Sequence, residues 1–109
     1  HRAFMRSITP PDLKKMKDDG MPHQLIDVRE PYEVEVCAIG GENIPLGEIV
    51  QRLGRIRKDV PVVVHCRSGA RSAAVISALE TRYGFTNLLN LTGGIVAYAH
   101  QVDPTLDPG

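Results

Sequence analysis

The chain has 109 residues, 42% of them hydrophobic and 24% charged, with a formal net charge of zero and a pI near 7.1. That length holds one domain around one core, and the charge balance excludes the basic footprint of a nucleic-acid-binding or membrane-surface protein. No apolar run approaches the ~20 residues that a bilayer span needs.

The chain opens on His1 rather than methionine, which reads as a processed or excised piece, and no basic start with an apolar stretch behind it marks a secretory signal. Arg6-Ser7-Ile8 predicts a short leading strand. Thr9-Pro10-Pro11-Asp12 predicts a helix start, with Thr9 as N-cap and Pro10 at the first helical position; Leu13 and Met16 give that helix its apolar side and Gly20 its stop. Gln24-Leu25-Ile26-Asp27-Val28 predicts a second strand, and Pro31 to Val36 one or two helical turns. Gly40-Gly41 breaks the chain before a brief strand at Asn43-Ile44-Pro45. Leu46, Ile49, Val50, Leu53 and Ile56 follow helical spacing. Val62-Val63-Val64-His65 behind Pro61 predicts a buried strand. A helix is expected from about Ser72 to Tyr83, with Ala74, Ile76 (or Val75) and Leu79 on one stripe and Gly84 as its cap. Asn87 to Leu91 predicts the last strand, and Gly93-Gly94 opens a short helix from Ile95 to about Gln101. The ordered core is expected over about 5–102, with 103–109 as a loose tail of a single domain spanning 1–109. Short apolar strands alternating with helices predict an α/β fold, a central parallel sheet of about five strands with helices on both faces.

In such sheets, ligands sit beyond the carboxyl ends of the strands. Cys66 stands there, in Cys66-Arg67-Ser68-Gly69-Ala70-Arg71-Ser72, where a tight loop opens a helix. Unpaired N–H groups and the positive end of the helix dipole favour a thiolate over a thiol, and Arg67 and Arg71 add positive charge. If the loop curls around the sulfur, the amides of residues 67–72 converge on it as an anion nest, with Gly69 supplying the conformational freedom. Such a nest suits a thiolate or a persulfide, Cys–S–S⁻, provided that solvent reaches the sulfur. Four residues separate Cys66 from Arg71. Cysteine phosphatases place five between the corresponding pair, so this ring is tighter and fits sulfur better than a phosphoryl group.

These segments resemble a rhodanese-like domain over nearly the whole chain. Asp27-Val28-Arg29-Glu30-Pro31-Tyr32-Glu33 is similar to the family's first signature, Cys66 to Ser72 to its active loop, and Leu91-Thr92-Gly93-Gly94-Ile95 to its closing signature. Ile39 to Leu46 and Val102-Asp103-Pro104 resemble one subgroup more narrowly. That subgroup is the C-terminal sulfurtransferase domain fused to ubiquitin-activating-like adenylyltransferases of molybdopterin and thiamine biosynthesis and tRNA thiolation. The resemblance implies that Cys66 takes sulfane sulfur from thiosulfate or a cysteine desulfurase and passes it to an acceptor, the activated C-terminus of a sulfur carrier protein. It implies no cofactor in this domain beyond the persulfide itself; ATP and zinc would belong to an adenylyltransferase domain fused upstream. Ala38 and Tyr98 depart from the family's frequent histidine and tryptophan.

Of the remaining candidates, Arg67 is expected to point outward toward an anionic donor, and Arg71 to brace the loop against Asp27 or Glu33 or to bind substrate. Ser68, Gly69, Ala70 and Ser72 are expected to line the substrate's path, Ser72 with a hydroxyl that caps the helix or bonds sulfur. His65 follows β-strand alternation onto the face opposite Cys66. Asp27 and Arg29 read as an ion-paired scaffold beneath the loop, and Cys37 as core filler, or else a resolving thiol. No residues have metal-ligand spacing, so no metal is expected. Two cysteines with nothing else to mark secretion point to the cytoplasm, with neither nucleic acid nor membrane as partner. Two rival functions stay open: a docking module without catalysis and a cysteine phosphatase-like enzyme.

Overall fold

The chain forms five strands, all parallel: β1 (Ser7–Ile8), β2 (Gln24–Asp27), β3 (Glu42–Asn43), β4 (Val62–His65) and β5 (Leu88–Leu91), in the spatial order β1-β5-β4-β2-β3. They are seen in a computed structural model that describes residues 5–109. Parallel neighbours need crossovers, and these carry α1 (Pro10–Asp18), α2 (Pro31–Val36), a 3-10 segment (Leu46–Arg55) and α3 (Ala70–Tyr83), with α4 (Gly94–Gln101) closing the fold. The expected start of α1 is present: the Thr9 hydroxyl accepts the Asp12 N–H at 3.2 Å and Pro10 fills the first turn.

β4 lies inside the sheet, and all four of its residues are buried because both faces are covered. Alternation sends Val62, Val64 and then Cys66 into a core with Val75, Ile76 and Leu79 of α3 and Ile49 of the 3-10 segment. Val63 faces a second core with Leu13 of α1 and Ile95 and Tyr98 of α4. The single core expected from the length is thus divided by the sheet into two, one on each face. Each fully buried Val, Leu or Ile contributes about 1.5–3 kcal/mol, so together they hold the loop's floor rigid. Among the described residues no helix is long and apolar enough to cross a membrane.

Local differences from the sequence expectations have local causes. α3 starts at Ala70, two residues early, and buries Ser72, Val75, Ile76 and Leu79, while Ala74 is exposed. The inward anchor is Ser72, and the stripe runs from it at i, i+3, i+4 and i+7. The helix expected over Leu46–Ile56 is a 3-10 run broken at Arg52, where φ is −123° and ψ 24°. Gly47 and Gly54 weaken an α-helix there. β3 ends at Asn43 rather than Pro45: Pro45 has no N–H to offer a ladder, and the Asn43 amide instead staples the carbonyls of Asp27 and Arg29, both at 2.9 Å. Residues 103–109, read as a loose tail, turn back instead; Leu106 packs against the second core and the Gly109 carbonyl accepts from Arg67.

Candidate active site

The chain leaves β4 at Cys66 and turns through Gly69, whose φ of +109° serves as the left-handed N-cap of α3. A side chain there would strain the backbone. The turn aims main-chain donors at one sulfur: the Gly69 N–H lies 3.1 Å from Cys66 Sγ and the Ser72 N–H 3.4 Å, with the Ser72 hydroxyl also at 3.4 Å. Burial pushes the thiol up, and the Ser72 hydroxyl with the amides of Ser72, Gly69 and Ser68 more than offsets it, leaving Cys66 below its ordinary value. The donors come from part of the 67–72 span: those of Ser68, Gly69 and Ser72 act on the sulfur.

Cys66 is only 1% exposed. This burial overturns the expectation of a sulfur open to solvent. A ring this short closes over its own contents, so the rim residues Ser68 and Ala70 face solvent while the sulfur sits inside.

The loop's other side rests on α4. Ile95 N–H donates to the Cys66 carbonyl at 2.9 Å and Val96 N–H to the Arg67 carbonyl at 3.1 Å. These donors are orphans of a helix N-terminus, and they draw the loop's carbonyls away from the sulfur. Gly94, at φ +63°, permits the approach: a Cβ there would lie 2.3 Å from the Arg67 oxygen. The Thr92-Gly93-Gly94 segment is therefore the seat of the loop.

Arg71 is braced, by Glu33 rather than Asp27. Its Nη1 and Nη2 donate to the two carboxylate oxygens at 2.7 and 2.9 Å. The Arg71 hydrogen bonds hold the Glu33 carboxyl at about 2, well below its usual range. Asp27 is already taken: Arg29 gives it Nε at 3.0 Å and Nη2 at 2.7 Å, both residues buried. Arg29 also donates to the carbonyls of Cys37 at 2.6 Å and Glu33 at 3.4 Å. The Asp27–Arg29 pair thus fixes α2, and α2 presents Glu33 to the loop. Breaking either partner of such a buried pair costs about 3–5 kcal/mol.

His65 is buried on the face away from Cys66, with Nε2 3.6 Å from Asp27 Oδ2. Burial lowers its pKa, offset only in part by Asp27. Cys37 is a buried free thiol in the second core, whereas Cys66 lines the first. Arg67 reaches outward, to Gly109. Sequence reasoning missed Asn90, half-buried on β5, whose side chain bonds both Ser72 and Gly69. The signal was there: one amide in the otherwise apolar run Leu88-Leu89-Asn90-Leu91.

The chain is similar in sequence and in fold to known proteins. The sequence profile of the Rhodanese-like domain matches residues 9–101. The "Probable adenylyltransferase/sulfurtransferase MoeZ" of Mycobacterium tuberculosis is 34% identical over 103 residues, covering 92% of this chain and 26% of that protein. "Adenylyltransferase and sulfurtransferase MOCS3-1" of Zea mays is 33% identical over 105 residues, covering 89% and 22%. This chain therefore spans about a quarter of the length of these relatives. Among solved structures, a rhodanese-related protein of Thermoplasma volcanium superposes with a TM-score of 0.78 at 31% identity, covering 89% of this chain and 93% of that one. The chain belongs to the rhodanese-like domain family, and its homologues include adenylyltransferase/sulfurtransferases.

Proposed function

We propose that this domain is a sulfurtransferase that carries sulfane sulfur as a persulfide on Cys66. The observation that carries the reading is the set of N–H groups at 3.1 and 3.4 Å from one sulfur. With thiosulfate, the Cys66 thiolate attacks the outer sulfur, the donor's S–S bond breaks, and sulfite leaves with the electron pair. Cys66–S–S⁻ remains, its charge near the same donors. A nucleophilic acceptor such as cyanide or a thiolate then takes the outer sulfur and returns the Cys66 thiolate. With an adenylated carrier C-terminus the outer sulfur is itself the nucleophile: it displaces AMP from the acyl carbon, and two thiols reduce the resulting acyl disulfide to thiocarboxylate and free Cys66. A cysteine desulfurase persulfide serves as donor by the same exchange. ATP and zinc belong to an adenylyltransferase partner or fused domain, in a compartment that keeps thiols reduced. Because Cys66 is enclosed, the ring must admit the donor's terminal sulfur.

The enclosure favours one second reading, a docking module that binds a carrier without chemistry. Phosphatase chemistry is disfavoured because Arg71, the residue that would clasp a phosphoryl group, is committed to Glu33. The test is thiocyanate formation from thiosulfate and cyanide. Turnover that disappears in Cys66→Ala and persists in Cys37→Ala supports sulfur transfer. No turnover, with carrier binding retained by Cys66→Ala, favours docking; Cys66-dependent hydrolysis of an aryl phosphate overturns both.

A further inference from the structure

The Ser72 hydroxyl has one proton and three acceptors in reach: Asn90 Oδ1 at 2.6 Å, the Gly69 carbonyl at 3.2 Å and Cys66 Sγ at 3.4 Å. The orientation of the Asn90 amide is fixed by its neighbours. The Gly69 carbonyl can only accept, so it faces Nδ2, at 3.2 Å. A second Nδ2 hydrogen points toward Met5 Sδ at 3.9 Å. Oδ1 is left for Ser72, and its bond is the shortest of the three, so the hydroxyl proton lies there. The oxygen lone pairs then face the sulfur, and the Cys66 S–H donates to Ser72 Oγ.

That arrangement suits a thiol and opposes a thiolate. When the thiol proton leaves to water, the hydroxyl must swing from Asn90 to sulfur, and Asn90 Oδ1 loses its donor. We infer that Asn90 is a positioning residue for Cys66, holding the Ser72 proton away from the sulfur until the sulfur carries full charge. Asn90 opposes Val64 in the β4–β5 register, on the face that Cys66 shares with α3, so a neighbouring strand sets the direction of the hydroxyl. In the persulfide the charge moves to the outer sulfur and the hydroxyl returns to Asn90. The inference rests on the Cys66 thiolate being the working nucleophile, but its test needs no sulfur donor.

The test is a double-mutant cycle on the thiol's titration, followed by ultraviolet absorbance of the thiolate and by the pH dependence of iodoacetamide alkylation, with Cys66→Ala as background. The charged groups near the sulfur (Arg67 on the loop, Arg71 on α3 and its partner Glu33 on α2) are the same in every variant. Loss of the Asn90 bond to Gly69 also cancels across the cycle. With Asn90 present, Ser72→Ala raises the titration midpoint by less than about half a unit; in the Asn90→Ala background it raises it by about one unit. Asn90→Leu keeps the side chain's bulk without charge and removes the acceptor, so Ser72→Ala there again raises the midpoint by about one unit, which keeps the inference testable if Asn90→Ala does not fold. Equal Ser72→Ala shifts with and without Asn90 overturn it. Additive shifts in a protein that still forms persulfide defeat this inference alone; a protein that shows the coupling yet forms no persulfide defeats the sulfur-transfer reading alone.

Discussion

Glu33 of α2 and Arg71 of α3 meet side-on, two oxygens against two nitrogens at 2.7 and 2.9 Å, and tie the loop's far end to the opposite helix. Their side chains are 17% and 36% exposed, so water screens the pair and its double-mutant coupling is expected to be about 1 kcal/mol or less. The Glu33 carboxyl titrates near 2 instead of 4.5. A depressed carboxylate stabilises the fold fully above the ordinary value and loses that contribution as pH falls through the folded one. Denaturant unfolding of the wild type should therefore lose this coupling between about pH 4.5 and 2, and Glu33→Gln should show no loss from it in that window.

Cys66 should titrate as an activated thiol. Its titration lies below the ordinary 9.0, so alkylation rates should rise with pH and level off before that value. Stability linked to the thiolate is complete above 9.0 and is lost as pH falls through the folded thiol's value. Gly69→Ala sets a Cβ on a residue at φ +109° and displaces the closest donor. Its alkylation curve should move to higher pH by about one unit; an unmoved curve would show that the Gly69 amide does not hold the anion.

Gly94 tests the loop's seat. In Gly94→Ala the new Cβ lies 2.3 Å from the Arg67 oxygen and 2.6 Å from the Cys66 oxygen, on a backbone at φ +63°. The cost should be about 2–4 kcal/mol, from strain and displaced backbone together. Gly47→Ala, with open space around its Cβ, should change stability by no more than about 0.5 kcal/mol. Thermal unfolding of the two variants side by side checks this.

His65 should govern stability rather than chemistry. Its pKa is lowered by burial, so the unfolded chain takes up the proton first. The fold is then at full strength above the ordinary 6.5 and weakens as pH falls from 6.5 toward the lower folded value. His65→Leu should remove this stretch of the stability-versus-pH curve and leave the pH profile of Cys66 alkylation in place. A shifted alkylation profile would mean that the imidazole acts on the sulfur across the sheet.

The sheet, its parallel sense and the loop's place at the end of β4 were legible because Val62 to Val64 admit one reading and Gly69 marks the turn. The bracing role of Arg71 was legible as chemistry, but its partner was not. Asp27 and Glu33 are both acidic and both belong to one signature, and only the fold shows Arg29 already on Asp27. The α3 stripe slipped because Ser72 looked like a cap, whereas its hydroxyl turns inward to Asn90. The enclosure of Cys66 depends on how tightly four intervening residues close, which side-chain identity does not encode. Gly94 was seen as a helix opener, but its close approach to Arg67 is a tertiary fact with no local pattern.

The proposed chemistry requires one sulfur to hold another. Intact mass of the protein after incubation with thiosulfate measures this most directly. The expected result is a gain of one sulfur atom on Cys66, removed by cyanide or a thiol, absent in Cys66→Ala and kept in Cys37→Ala. An unchanged mass, or an adduct that survives in Cys66→Ala, would contradict it.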